Sequence, residues 1–433
     1  MQANLENTLP SYTKPSTVRA CVVVFTAALF FFYEFIQLNM FNAIDPYLLR
    51  DFKITAAELG HLSAYYFYGD VLFLFMAGTI LDRVSTRKAI LTAMFFSVSC
   101  TFVFAFAHQI WIAEIGRFVT GAAAAFCLLS CLRLATRWFS PRHMALVVGI
   151  IVTIAMLGGM VAQTPLTLLT DHFGWRIALM IDGSAGILML AAIFFIVQDY
   201  PEGAGPWFAR QRQALTELGF WKSLGRALSN LQNWLAGFYT SVLNLPIFLL
   251  GAIWGSLYLV QIHHLSRPEA SYITSMIFVG TIIGSTVIGW ISDRVGQRKL
   301  PMLICALCSL LVMLLIIYLP QLSLAMGMVL FFSLGFFTSG QIISYPLIAE
   351  SNPPTLTATA SGLASTLIMA GGISQPFFGW LMGIHWDQQT VNGIPLYSLH
   401  DYRLALWIMP IGFILGILAT IPLKETYCQS HSQ

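Results

Sequence analysis

Five ionisable residues stand inside long apolar runs of this chain: Glu34, Asp70, Glu114, Arg117 and Asp182. Such a group is expensive to keep among apolar neighbours, so each is a candidate for function. A buried carboxyl can take up and release a proton, because burial disfavours its charged form and a nearby positive charge restores it. Glu34 and Arg117 therefore admit two readings. In one, Glu34 is a proton site whose occupancy Arg117 modulates. In the other, the two form a static ion pair that fixes helix packing. A zwitterionic ligand adds a variation, with its carboxylate on Arg117 and its ammonium on Glu34. Gln37 follows Glu34 at i+3 and shares its face. Asp70 reads either as a gating or structural polar contact or as a second proton site. Glu114 reads as the same-helix partner of Arg117, and Asp182 as structural.

The second half of the chain has no ionisable counterpart of these groups. Its candidates are neutral: Asn244 and Tyr258 in one run, and Thr338, Gln341 and Tyr345 in another. The last three fall at i, i+3 and i+7, one helical face. Hydrogen bonding between helices is the competing reading for all of them. Cys127, Cys131, Cys305 and Cys308 lie in apolar runs without histidines nearby, so no metal site is expected. There is no Gly-x-Ser-x-Gly and no phosphate-binding glycine loop, so neither an enzyme nor a cofactor is expected.

The elements that hold these residues follow from composition. Of 433 residues, 57% are hydrophobic and 9% charged, which cannot coat a water-exposed surface. The runs are of the ~20-residue length that a membrane helix needs, without strand alternation. Twelve spans are expected, near 19–43, 59–80, 88–107, 109–132, 145–169, 176–198, 235–262, 270–291, 300–318, 322–348, 356–383 and 402–422. The first is too long for a cleaved signal segment. With the N-terminus inside, inner segments carry 16 Lys and Arg and outer loops carry 5. That bias places both termini in the cytoplasm. The chain then divides into a half at 1–198, a linker at 199–234 and a half at 235–433, the linker partly an amphipathic surface helix. The basic residues sit in loops, so a lipid bilayer and not nucleic acid is the expected environment. Pro246 should kink its span, and Gly251 and Gly255 should let that span bend.

A repeat sets the two halves in register. Gly78-Thr79-Ile80-Leu81-Asp82-Arg83-Val84-Ser85-Thr86-Arg87-Lys88 matches Gly289-Trp290-Ile291-Ser292-Asp293-Arg294-Val295-Gly296-Gln297-Arg298-Lys299 at an offset of 211. The same offset pairs Gly69 with Gly280 and Glu58 with Glu269. Gly78 is expected to let its helix approach a neighbour closely. Asp82 stands at a helix C-terminus, where an acid needs something positive opposite it. The helix starts at Pro354-Thr355 and Ser140-Pro141 are expected to face Asp82 and Asp293, respectively.

The repeated loop resembles the signature between helices two and three of the major facilitator superfamily, present once per half. Arg117-x-x-x-Gly121, Gly158-Gly159 with Pro165, Gly371-Gly372 with Pro376, and Gly174-Trp175-Arg176 extend the resemblance over nearly the whole chain. It implies an all-α membrane protein of two pseudo-symmetric six-helix halves, working as a monomer by alternating access. It implies that Gly78, Asp82, Arg83, Arg87, Gly289, Asp293, Arg294 and Arg298 latch the cytoplasmic side. Ser85 departs from the family's usual glycine. Tyr33-Glu34-Phe35-Ile36-Gln37, Ala125-Phe126-Cys127-Leu128-Leu129-Ser130-Cys131 and Met156-Leu157-Gly158-Gly159-Met160-Val161-Ala162-Gln163-Thr164-Pro165 resemble the phagosomal nutrient transporters of intracellular bacteria. That branch implies an inner-membrane importer of an amino acid or nucleoside. The coupling ion would be a proton, with sodium open. An exporter and a non-transporting sensor are the other readings. The candidate substrate and coupling set is Glu34, Gln37, Asp70, Arg117, Asn244, Tyr258, Gln341 and Tyr345.

Overall fold

The computed structural model describes residues 16–139, 143–201, 220–353 and 357–428. Among them, ten helical segments are long and apolar enough to cross a membrane. Span one begins with Thr17–Asn39 and continues at a small offset as Phe41–Phe52. Span two is Ala56–Arg83, and spans three to six are Thr86–Phe106, Ile110–Trp138, Met144–Phe173 and Trp175–Ile196. Span seven runs over Leu231–His263, span eight over Arg267–Val295 and span nine over Lys299–Tyr318. Span ten is Leu324–Glu350, span eleven runs from Thr357 to Gly383, and span twelve is Leu399–Thr420. Spans two and eleven bring the described helical segments to twelve. Phe220–Ser229 is a further short helix before span seven, amphipathic as expected of the linker.

The repeat is physical as well as sequential. Thr55 and Glu58 form a capping box at the start of span two, and Ser266 and Glu269 form the same box at span eight. Each hydroxyl accepts from the third helical N–H while the glutamate reaches back, satisfying two otherwise orphaned donors. This accounts for the Glu58–Glu269 match. Spans two and four cross where a Cβ on Gly121 would lie 1.8 Å from the Tyr66 carbonyl oxygen. Spans eight and ten cross where one on Gly335 would lie 2.0 Å from the Ile277 oxygen. Tyr66 and Ile277 are themselves 211 apart.

Gly78 does not make the close approach expected of it, and its repeat partner Gly289 makes none either. Among the described residues, a Cβ on either would meet nothing within 4 Å.

The halves close on each other at the opposite, distal face. Span two meets span eleven, where a Cβ on Gly60 would lie 2.6 Å from the Gln375 oxygen and one on Gly379 2.3 Å from the Ala56 oxygen. Span five meets span eight through Gly159 against the Phe278 ring and Thr164 against Ser275, their hydroxyls 3.2 Å apart. Span seven breaks after Leu243 and turns into a π-helix at Ile247–Trp254, directly after Pro246. The expected kink is thus a change of helix type. A two-stranded hairpin, Thr390–Val391 with Ile394–Pro395, turns through Asn392 and Gly393 at φ 53° and 77°. That pair suits a turn needing positive φ at both central residues.

Candidate functional site

Arg117 is fully buried in span four. Its Nη1 donates to the Gln37 carbonyl at 2.6 Å and its Nη2 to the Ser63 carbonyl at 3.4 Å. Its guanidinium lies over the rings of Phe41 and Tyr66, at 4.8 and 4.9 Å from their centroids. Carbonyl dipoles and aromatic faces therefore hold this charge. Glu114 does not pair with it. It is half-buried and faces His61 and Glu58 of span two, because Arg117 turns inward toward span one.

Glu34 is buried near Arg117, but the two form no ion pair. Ser97, Tyr66, Asp70 and Arg117 are its polar surroundings, yet no hydrogen bond of normal geometry satisfies either carboxyl oxygen. Asp70 is also buried, with Oδ1 unsatisfied. The nearest approach to a continuous network runs through Gln37. Its Nε2 donates to Asp182 Oδ2 at 2.6 Å, and its Oε1 accepts from Thr101 at 3.1 Å. Tyr33 adds a 2.8 Å bond to Thr101. Spans one, three and six thus share a buried polar string, and Asp182 belongs to it.

In the second half, Gln341 Nε2 donates to Asn244 Oδ1 at 2.9 Å, and the Asn244 amide bonds back to Gln341. This reciprocal amide pair joins spans seven and ten. Tyr345 is half-buried beside Ser365 of span eleven. Thr338 bonds within its own helix, to the Leu334 carbonyl at 2.8 Å. Tyr258 does not join them. Its hydroxyl donates to the Ile316 carbonyl at 3.0 Å and contacts His263 Nε2 at 3.0 Å, with its ring against Tyr402. The π segment rotates everything after it relative to a regular helix, which turns Tyr258 away from the Asn244 face.

Sequence reasoning missed the distal seal. Asn42 Nδ2 donates to the carbonyls of Leu250 and Gly251, each at 2.6 Å, and its Oδ1 accepts from Ser256 N at 3.1 Å. Gln163 Nε2 reaches the same Gly251 carbonyl at 2.8 Å, and Gln375 Nε2 the Phe248 carbonyl at 2.8 Å. Three amides therefore take up carbonyls of the π segment, two of them from the other half. Arg267 donates to Asp171 at 2.8 Å and to the Ala43 carbonyl at 2.7 Å, while Tyr47 donates to Asp171 at 3.1 Å. The available signal was the apolar run continuing through Tyr47-Leu48-Leu49, which carries span one past the expected end at residue 43.

The comparisons with known proteins agree with this architecture. The Major Facilitator Superfamily description matches residues 23–376 and 244–427. The chain belongs to the major facilitator superfamily. It is a multi-pass membrane transporter and not an enzyme. It is similar to the membrane sensor protein UhpC of Salmonella typhimurium, 24% identical over 79% of this chain and 80% of that one. It is similar to the probable sulfoacetate transporter SauU of Cupriavidus necator, 22% identical over 82% and 85%. In fold it resembles a bacterial homologue of the lysosomal transporter Spinster, with a TM-score of 0.73, 15% identity and coverage of 94% and 98%.

The two signature loops of the family are each tied to their own half. In the second, Arg298 donates to Asp293 at 2.6 Å, to Ser292 at 3.0 Å and to Glu350 at 2.7 Å. Burial works against its charge, but the bonds to Glu350 and Asp293 outweigh that and raise its pKa. Arg294 lies over Trp290, 5.1 Å from the centroid. In the first, the Arg87 guanidinium donates to the Phe194 carbonyl at 2.6 Å and its N–H to Asp199 at 3.0 Å. Ser85 also bonds Asp199. Glu425 takes the matching place in the second half, accepting from the N–H groups of Arg298 and Lys299, each at 2.8 Å. The side chains of Asp82 and Arg83, and the expected partners at Ser140-Pro141 and Pro354-Thr355, lie outside the described residues.

Proposed function

We propose that this transporter imports a small polar nutrient, with an amino acid as first candidate, by proton symport. The asymmetry of basic residues supports placing both repeated loops and both termini in the cytoplasm. On that orientation the sealed distal face is the outer face, which fits an inward-facing state of an alternating-access cycle. The observation that carries the coupling reading is Glu34, buried beside Arg117 with the Ser97 and Tyr66 hydroxyls near it but no hydrogen bond of normal geometry to either carboxyl oxygen. An ionised carboxylate in that setting would lose its hydration with no well-aligned donor in its place. A proton, or the ammonium of a bound solute, relieves this. Arg117 Nε is likewise unsatisfied, so a zwitterion could meet both groups.

The substrate class follows from what the second half offers. Asn244 and Gln341 are neutral, and the mid-span cation among the described residues, Arg117, is already held by carbonyls and rings. That balance favours a neutral or zwitterionic solute over a strongly anionic one, although the relative SauU is named for the anion sulfoacetate. The test is uptake by proteoliposomes under an inward proton gradient, comparing amino acids, nucleosides and sulfoacetate, with and without protonophore. Uptake of an amino acid that the protonophore abolishes supports the proposal. Gradient-independent uptake removes the symport, and uptake of sulfoacetate alone removes the substrate class. A sensor reading rests on the similarity to UhpC, and no uptake of any solute by folded protein would favour it.

A further inference from the structure

Asp45 occupies the middle of Phe41–Phe52, the outer extension of span one. It is fully buried, and no donor reaches either carboxyl oxygen. The neighbouring groups are committed elsewhere. Asn42, one turn earlier, clamps the π segment of span seven across the halves. Arg267 of span eight bears on Asp45 electrostatically, yet its guanidinium is spent on Asp171 of span five and on the Ala43 carbonyl. Tyr402 of span twelve feels Asp45, but its hydroxyl donates to Gln261 of span seven at 3.0 Å. His263 of span seven is bonded to Tyr258 and to the Leu322 N–H, and Asp401 of span twelve to its own capping box. Glu58 of span two is likewise held in a capping box. Arg50, on the same helix as Asp45, pairs with Asp51. Each of these groups is therefore committed elsewhere, Asn42 and Arg267 to contacts that hold the two halves together, and none of them holds the carboxyl.

A cavity of about 320 Å³ lies alongside, lined by Pro46, Ser256, Gln261, His264, Arg267 and Asn392 among others. It runs from the hairpin on the outer face to Ser256, whose hydroxyl is also buried and unsatisfied. It gives outer water a path to the edge of the seal.

We propose that Asp45 is the acid-sensitive bolt of the outer gate: the gate seals over a protonated Asp45, and loss of that proton drives it open. When the gate is open, outer water hydrates the carboxylate. Closure removes that water and supplies no donor, so the neutral acid is buried at a far smaller penalty than the carboxylate. The proton enters from the outer side and leaves to it. It is not carried across, and it sets the conformational equilibrium instead. With one linked proton, the ratio of open to sealed protein rises by up to about tenfold per pH unit. This inference rests on the proposed orientation and alternating access, but not on proton symport or on substrate identity.

Hydrogen exchange of the purified full-length protein in nanodiscs tests it. Peptides covering 41–52 and 247–263 would be followed at pH 5.5 and 8.5, each variant being compared with wild type at the same pH. Wild type should lose protection in both peptides at the higher pH. Asp45→Asn should stay protected at both, and Asp45→Glu should restore the dependence. Glu34→Gln, which alters the proposed symport site, should leave it intact. Should Asp45→Asn fail to fold, Asp45→Ser supplies a second neutral side chain. Equal protection of wild type at both pH values overturns the proposal, as does a wild-type pH response in the neutral variants. Loss of the response in Glu34→Gln with its retention in Asp45→Asn would move the switch to span one's inner site. Failure of gradient-driven uptake with this response intact would sink only the symport reading.

Discussion

Arg117 keeps a full charge in the interior of the first half with no carboxylate bonded to it. Two carbonyls and two aromatic faces carry it, and this fork-and-stack arrangement is specific to guanidinium. Arg117→Lys preserves the charge but not the geometry, so solute uptake should fall by at least an order of magnitude while the protein stays folded. Uptake at wild-type rates would remove Arg117 from the site. Glu34→Gln keeps size and removes titration. Proton-driven accumulation should vanish while solute exchange at equal pH persists in part, as counterflow measurements would show. Unaltered accumulation would return Glu34 to a structural role. Both residues were legible in the sequence, because a charge in an apolar run announces itself. Asp45 was not, because Asp45-Pro46 reads as the start of a loop and only the helix continuing to Phe52 turns it into a buried acid. Tyr258 misled for a different reason, since side-chain period carries no warning of a π segment.

At the scale of elements, the π segment of span seven depends on side chains from elsewhere. Its i→i+5 pattern leaves carbonyls that Asn42, Gln163 and Gln375 satisfy. Asn42→Ala would take the side-chain donor from the Leu250 carbonyl, while the Gly251 carbonyl keeps Gln163, and a carbonyl buried without a partner costs roughly 1–3 kcal/mol. Because two of the three amides come from the other half, that penalty falls on the sealed state and not on the fold. Asn42→Ala should therefore raise exchange in the 247–263 peptide while leaving the crossing of spans two and four protected. Equal deprotection everywhere would mean that Asn42 supports folding in general. The crossings behave differently. Gly121→Ala sets a methyl 1.8 Å from the Tyr66 carbonyl oxygen, so the two spans must part. Overpacking of this kind destabilises by about 1–3 kcal/mol or more, which a lowered melting temperature would register. The repeat at offset 211 made these crossings recoverable through Gly69 and Gly280, and the echo of Gly158-Gly159 in Gly371-Gly372 stands behind part of the seal, with Gly159 on the Phe278 ring and Gly372 on the Phe67 ring, whereas the amides of Asn42, Gln163 and Gln375 carry no such signal.

For the whole molecule, two faces hold different kinds of contact. At the loop face each half is tied internally: Arg298 and Glu425 bind the start of span nine to Glu350 and to the segment after span twelve. Glu425 is partly buried, which would raise its pKa, but four backbone N–H groups outweigh that and lower it. A depressed carboxyl contributes stability above its unfolded value of about 4.3, and that contribution fades as pH falls through the folded value. The melting temperature should therefore drop on acidification, and Glu425→Gln should flatten part of that slope. At the distal face the halves are tied to each other by amides, hydroxyls, aromatic rings and the partly exposed Arg267–Asp171 pair. If alternating access operates, that face must open once per cycle. Thr164 and Ser275 offer a way to forbid it, because their hydroxyls lie 3.2 Å apart across spans five and eight, and cysteines there approach disulfide spacing. In Thr164→Cys/Ser275→Cys, oxidation verified by mass spectrometry should reduce uptake to background, and reductant should restore it. Solute binding to detergent-purified protein should survive the lock, since the two cysteines would join the distal face alone. Undiminished uptake by fully crosslinked protein would show that this face does not open during transport.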